Sequence, residues 1–228
     1  MAQQSKLIFT ASIAALMGTG FATGSALASD VSESEIVKQL SKKKKPLTRG
    51  LTRSLKKPAG AMSTTEKGYL RNLGKTRGIK FVVKEGEKPQ DYAKPTYEKQ
   101  EIEKIVTIVK KHDLPKLDFK IGFEFGSAQV SGPSIIQVVE LAKALNHPAL
   151  KETRIILGGH TDAKGSDAFN QILSQKRSNS VAKMVVEIGG IDPARLVPVG
   201  FGEHKLKNPY DPHASENRRV EVINISTY

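Results

Sequence analysis

Asp162 and Arg177 are the two residues whose types and spacing point most directly to binding chemistry. Asp162 follows an apolar run, Ile155-Ile156-Leu157, and the passage Gly158-Gly159-His160-Thr161, so it falls on a polar loop leaving a strand. Arg177 falls roughly two to three turns into the helical pattern that begins after Gly165. At about 100° per residue, Asn170 and Arg177 share the stripe formed by Leu173, Val181, Met184 and Ile188. A guanidinium keeps its proton, and leaving it unpaired among apolar neighbours costs several kcal/mol. Arg177 therefore needs an anion: Asp162, a ligand, or both. Helical side chains lean toward the helix N-terminus, so its arm can reach back to the Asp162 loop. An acid and a fork-shaped base at one mouth suit a ligand head with an ammonium and a carboxylate, Asp162 taking the amine and Arg177 the carboxylate. Free backbone N–H groups at the helix start can also hold a carboxylate. A plain ion pair that staples helix to loop is the alternative these residues leave open.

Other chemistries find less support. His160, Asp162, His204 and His213 form no recognised metal-ligand spacing and there is no Cys, so no metal is expected and His160 reads as a satisfied structural histidine. Ser174 lacks a Gly-x-Ser-x-Gly elbow, and a paired-carboxylate glycosidase would have only Asp162 with Asp167 or Glu203. Gly158-Gly159 lacks the later glycine and lysine of a phosphate loop. Neither a catalytic residue nor a cofactor is expected.

The elements that must position the pair alternate. Phe119, Ile121, Phe123 and Phe125 alternate with Lys120, Gly122 and Glu124 as a half-buried strand, and Ser134 to Leu145 reads as an apolar helix. The strand and helix carrying Asp162 and Arg177 follow, then strands at Arg195–Val199 and Arg219–Ile225. This β-α-β-α-β-β order predicts an α+β domain: a mixed four-stranded sheet, helices packed on one face, the last strand antiparallel. Ligands gather beyond strand C-terminal ends in such sheets, where Thr161 and Asp162 lie. In strand geometry Arg218 and Arg219 face opposite sides, so they make no flat basic surface for nucleic acid, and one is expected to form an internal ion pair.

Gly159-His160-Thr161-Asp162, Gly165, Phe169-Asn170, Leu173-Ser174, Arg177, Gly200-Phe201-Gly202-Glu203 and Asn217-Arg218-Arg219-Val220-Glu221-Val222 together resemble the OmpA-like peptidoglycan-binding domain, over the last half of the chain. The resemblance implies that Asp162 and Arg177 hold the diaminopimelate residue of the peptidoglycan stem peptide, with Thr161 and Asn170 lining the same pocket. Ser178 stands where the family usually has Ala, and His213-Ala214 replaces the usual Gly-Arg before Asn-Arg-Arg.

Residues 1–28 read as a signal peptide: Lys6, an apolar and small-residue stretch from Leu7 to Phe21, then Ala26-Leu27-Ala28 as a small-x-small cleavage site. Thr10, Ser12, Gly18 and Gly20 interrupt that stretch, so no transmembrane span is expected in the mature form. Without Cys no lipid-modified N-terminus is expected, and without a preceding alternating-strand pattern no outer-membrane barrel is expected.

The 228 residues carry a formal charge of +13, and the excess is regional. Residues 29–119 hold 22 Lys and Arg against 12 Asp and Glu, whereas residues 120–228 hold 13 against 11. Residues 29–117 therefore read as a basic, partly disordered region, a flexible arm before the 118–228 domain, with short amphipathic helices at Asp30–Leu40 and near 97–112 and a short strand at Ile79–Val83. Lys42, Lys43, Lys44 and Lys45 form a run that is either a solvated arm or an electrostatic tether to anionic lipid or lipopolysaccharide. The chain is thus expected to bind peptidoglycan in the periplasm, with outer-membrane association through the arm. Its alternatives are an interaction protein with a non-binding domain of this kind, and a cell-wall hydrolase.

Overall fold

The computed structural model describes residues 31–42, 62–74, 97–123 and 127–226. The signal-peptide segment, Lys43 to Lys45 and the strand expected at Ile79–Val83 lie outside the described residues.

Among the described residues the α-helices and strands are α1 (Glu33–Leu40), α2 (Thr64–Asn72), α3 (Lys99–Lys111), β1 (Lys116–Phe119), α4 (Ile135–Asn146), β2 (Ile155–His160), α5 (Asp167–Gly189), β3 (Leu196–Gly202) and β4 (Val220–Asn224). The strands lie in the order β1-β4-β2-β3, with β2 parallel to β3 and β4 antiparallel to both β1 and β2. The mixed four-stranded sheet and its chain order are those expected from the alternation of strand and helix patterns.

The first strand is displaced from its expected place. β1 stops at Phe119, Phe123 makes an isolated antiparallel bridge to Val130, and Glu124 and Phe125 of the expected strand lie outside the described residues. The Gly122 N–H donates to Ser134 Oγ at 2.8 Å and its carbonyl accepts from Ser131 N at 3.0 Å, which turns the chain toward α4 instead of along the sheet.

Strand alternation sorts the sheet residues onto two faces. Ile155, Leu157, Val220 and Val222 pack with Val138, Leu141 and Leu145 of α4 and Val181, Ala182 and Val185 of α5. These are the domain's own helices on one face, as expected. Ile156, Val197, Val199, Phe201 and Ile223 point the other way, and Leu70 of α2 with Ile102, Ile105, Ile108 and Val109 of α3 cover them. The one-face arrangement therefore holds for α4 and α5 but not for the whole chain, because two helices of the N-terminal region bury the second face.

Those N-terminal helices are fastened at their ends, where a helix leaves backbone groups unpaired. Ser32 caps α1, Val31 N donates to Gln137 Oε1 and Glu33 N to Glu140 Oε2 of α4, and Asn224 Nδ2 donates to the Leu40 carbonyl at 3.0 Å. A Ser63/Glu66 capping box starts α2. Arg154 donates to the carbonyls of Leu70, Arg71 and Leu73 at its end. Among the described residues no helix is long and apolar enough to cross a membrane.

Candidate functional site

Helix α5 carries Arg177, and its fit on the sheet sets where that residue stands. Its buried side chains are Asn170, Gln171, Ser174, Gln175, Ser178, Val181, Ala182 and Val185. The buried stripe is thus rotated from the one expected through Leu173, Met184 and Ile188, and Ile188 is exposed. Two strand glycines explain the rotation. A Cβ at Gly200 would sit 2.5 Å from the Gln175 backbone nitrogen, and one at Gly159 would meet the Ser174 carbonyl. The first half of α5 therefore lies against bare backbone, where only short or hydrogen-bonding side chains fit. Gln171 Nε2 donates to Gly200 O at 2.7 Å, Gly200 N to Gln175 Oε1 at 2.8 Å, and Gly202 N to Ser174 Oγ at 2.9 Å. Polar α5 side chains thus satisfy the backbone of edge strand β3 that no neighbouring strand pairs.

The loop after β2 is tied down residue by residue. Thr161 N donates to Gly202 O at 3.0 Å and Ala163 N to Pro212 O at 3.0 Å. Between them Asp162 is only 7% exposed. Its Oδ1 accepts from Lys164 N at 3.3 Å and its Oδ2 from Arg218 Nη1 at 2.6 Å. Asn170 Nδ2 donates to the carbonyls of Asp162 and Lys164 and to Glu203 Oε2, so this amide clamps the loop that carries the acid. Thr161 is buried, and among the described residues its hydroxyl has no hydrogen-bond partner.

Arg177 stands across this mouth. Its Nε donates to Ser127 O at 3.3 Å, and its guanidinium lies over the Phe123 ring, 4.7 Å from the centroid. The described residues show no direct ion pair between Arg177 and Asp162, because Asp162 is already paired with Arg218. Burial and then the charge of Arg218 lower the Arg177 pKa, and Asp162 opposes the shift. A guanidinium crowded by a second one, with its Nη atoms making no hydrogen bond to a described residue, is disposed to take an anion. The plain helix-to-loop staple between these two residues is therefore not what the fold builds.

The structure brings all four expected residues to one strand end: Asp162 and Arg177 as charged groups, Asn170 as the loop clamp, Thr161 as a buried neighbour. Arg218 is the member that sequence reasoning did not assign. It directly precedes Arg219 and Val220, and Val220 is in register with Gly159 across β2 and β4, which places Arg218 beside the Asp162 loop. Arg219 turns to the other side and binds Asp118 Oδ1 at 3.2 Å, so both arginines are engaged within the fold.

His160 is structural. Its ring is fully buried and stacked on Phe201 with centroids 5.0 Å apart. Its Nε2 stands 3.5 Å from Glu221 Oε2. Burial pushes the His160 pKa down to about 4. Burial disfavours ionised Glu221, but His160, Lys116 and Lys205 outweigh it and hold this carboxyl below its usual range. Among the described residues no group of three or more His, Asp or Glu side chains could hold a metal ion.

Residues 122–220 match the OmpA family. Outer membrane porin F of Pseudomonas fluorescens is 35% identical over 110 residues, covering 47% of this chain and 32% of the porin. The peptidoglycan-associated lipoprotein of Buchnera aphidicola is 32% identical over 109 residues, covering 45% of this chain and 59% of the lipoprotein. The chain thus spans less than two thirds of each of these relatives. Among solved structures, the peptidoglycan-associated lipoprotein from Burkholderia pseudomallei matches 46% of this chain and 87% of its own length, at 23% identity and a TM-score of 0.40. The chain carries an OmpA family domain, over residues 122–220.

Proposed function

We propose that this protein binds diaminopimelate-type peptidoglycan non-covalently in the periplasm and links the wall to the outer envelope. The observation that carries the reading is Arg177: a half-buried guanidinium, held by Phe123 and Ser127 and near enough to Asp162 and Arg218 to feel both charges. Diaminopimelate offers an ammonium and a carboxylate on one carbon, which matches an acid and a fork-shaped base set apart by a competing Arg218. The names of the relatives, among them a peptidoglycan-associated lipoprotein, support the same substrate. No covalent step is required, since the groups at the mouth bind and orient.

Linkage to the envelope rests on the far end of the sheet. Ile155 is in register with Asn224 and Gly159 with Val220, so Asn224 marks the end of β4 away from the site, about 13 Å along the strand. Asn224 holds the Leu40 carbonyl there, and Lys42 follows two residues later at the start of the lysine run. A basic segment that starts at the pole opposite the wall site suits a bridge to anionic lipid or lipopolysaccharide.

The test is retention on purified sacculi. Asp162→Ala and Arg177→Ala are each expected to abolish pull-down while thermal melts show a folded protein. Retention of both variants at wild-type level would refute the assignment.

A further inference from the structure

Tyr210 is 98% exposed, well beyond the other large hydrophobic residues among the described ones. A mobile loop tip would make that unremarkable, but this loop is fixed. Asn217, itself buried, donates from Nδ2 to the carbonyls of Asn208, Asp211 and Pro212 and accepts at Oδ1 from Asn208 N at 2.8 Å. Asn208 Oδ1 in turn accepts from Tyr210 N and Asp211 N, both at 3.1 Å. Pro209 and Pro212 flank the tyrosine and fix φ on either side of it. The loop also docks onto the candidate site, through Ala163 N and Pro212 O. An aromatic ring on a pre-ordered backbone costs little further entropy on binding, since only its own side chain must settle.

We propose that Tyr210 is a stacking platform for a sugar ring of the peptidoglycan glycan strand. The proposal rests on the wall-binding reading and extends it from the peptide to the sugar. A pyranose presents a face of C–H groups whose burial against an aromatic face is favourable, while its hydroxyls stay in water. The spacing also fits. Tyr210 lies two residues from Pro212, whose carbonyl bonds the residue after Asp162, so its Cα is within roughly 13 Å of the Ala163 Cα at 3.8 Å per step. A stem peptide of about three residues, extended, spans roughly 10 Å between the diaminopimelate end and the sugar. With diaminopimelate between Asp162 and Arg177, the glycan reaches the neighbourhood of Tyr210.

The experiment is calorimetric titration of the full chain with two ligands, a disaccharide-tripeptide muropeptide containing meso-diaminopimelate and the same tripeptide without sugar. The wild type is expected to bind the muropeptide about tenfold more tightly than the tripeptide. Tyr210→Ala should remove that advantage and leave the tripeptide affinity unchanged, and Tyr210→Phe should keep it. Equal affinity of the wild type for both ligands, or an advantage that survives Tyr210→Ala, overturns the platform and leaves the wall-binding reading standing. Equal loss of both ligands in Tyr210→Ala also overturns it, by showing that the residue acts on the peptide pocket. Binding of neither ligand by the wild type refutes the wall-binding reading and the platform with it.

Discussion

Arg218 Nη1 lies 2.6 Å from Asp162 Oδ2, and this pair fixes the acid within reach of the Arg177 charge. The carboxylate is held on one oxygen by Arg218 and on the other by Lys164 N, yet a carboxylate offers about four lone-pair sites. An arriving ammonium can share Asp162 without expelling Arg218. Arg177 meanwhile is repelled by Arg218, which favours any ligand that brings a second negative charge.

Arg218→Ala is therefore expected to weaken sacculus binding by about tenfold through loss of Asp162 orientation. Because the Arg218 side chain is nearly half exposed, the stability cost should be only about 1 kcal/mol. Binding isotherms with paired thermal melts measure both, and an unchanged or increased affinity would show that Arg218 competes with the ligand instead of aiming Asp162.

Gly200→Ala should destabilise the protein by about 3 kcal/mol, because the added methyl would fall against the Gln175 backbone, which cannot rotate away. Chemical denaturation reads that loss. The variant should also bind sacculi less well, since lifting α5 from β3 displaces Arg177.

Acid should loosen the fold through His160. Its folded-state pKa of about 4 lies below the ordinary value of 6.5, so the unfolded chain binds a proton that the folded one refuses as pH falls from 6.5 toward 4. This costs about 3 kcal/mol across that window, and the groups around the ring are Glu221, Lys205 and Arg219. Below that window the depressed Glu221 pKa adds a further loss. Melting temperatures measured between pH 7.5 and 4.5 should fall, and His160→Gln should flatten the slope.

Replacing Lys42, Lys43, Lys44 and Lys45 with Gln should flatten the salt dependence of binding to anionic vesicles while sparing sacculus retention at high salt. The substitution is chosen over deletion because Leu40, just upstream, is buried in the core and bonded to Asn224. A salt curve identical to wild type would remove the tether from the account.

Much of the domain was legible in its sequence because period and order carry it. The α4 and α5 patterns and the β2, β3 and β4 runs all lie within a few residues of their expected places. The buried face of α5 was not legible. Hydrophobic stripes identify faces that meet side chains, whereas Gln171, Ser174 and Gln175 meet glycine backbone, and polar groups win there by bonding it. Helix α2 was missed although Ser63-Thr64-Thr65-Glu66 spells a capping box, because a single buried leucine, Leu70, gives it almost no apolar period. Of the candidate site, the placement of Asp162 on the loop after β2 and of Arg177 on α5 was legible, whereas a direct pair between them is not what the fold builds, and the Arg218 contact depends on β4 lying beside β2, a strand order that chain order alone does not fix.

The most direct measurement is the structure of the protein soaked with meso-diaminopimelate. The account predicts a ligand carboxylate within about 3 Å of the Arg177 Nη atoms and the neighbouring ammonium on Asp162, with Arg218 still in place. Diaminopimelate bound elsewhere, or absent from this mouth in a protein that still retains sacculi, would contradict it.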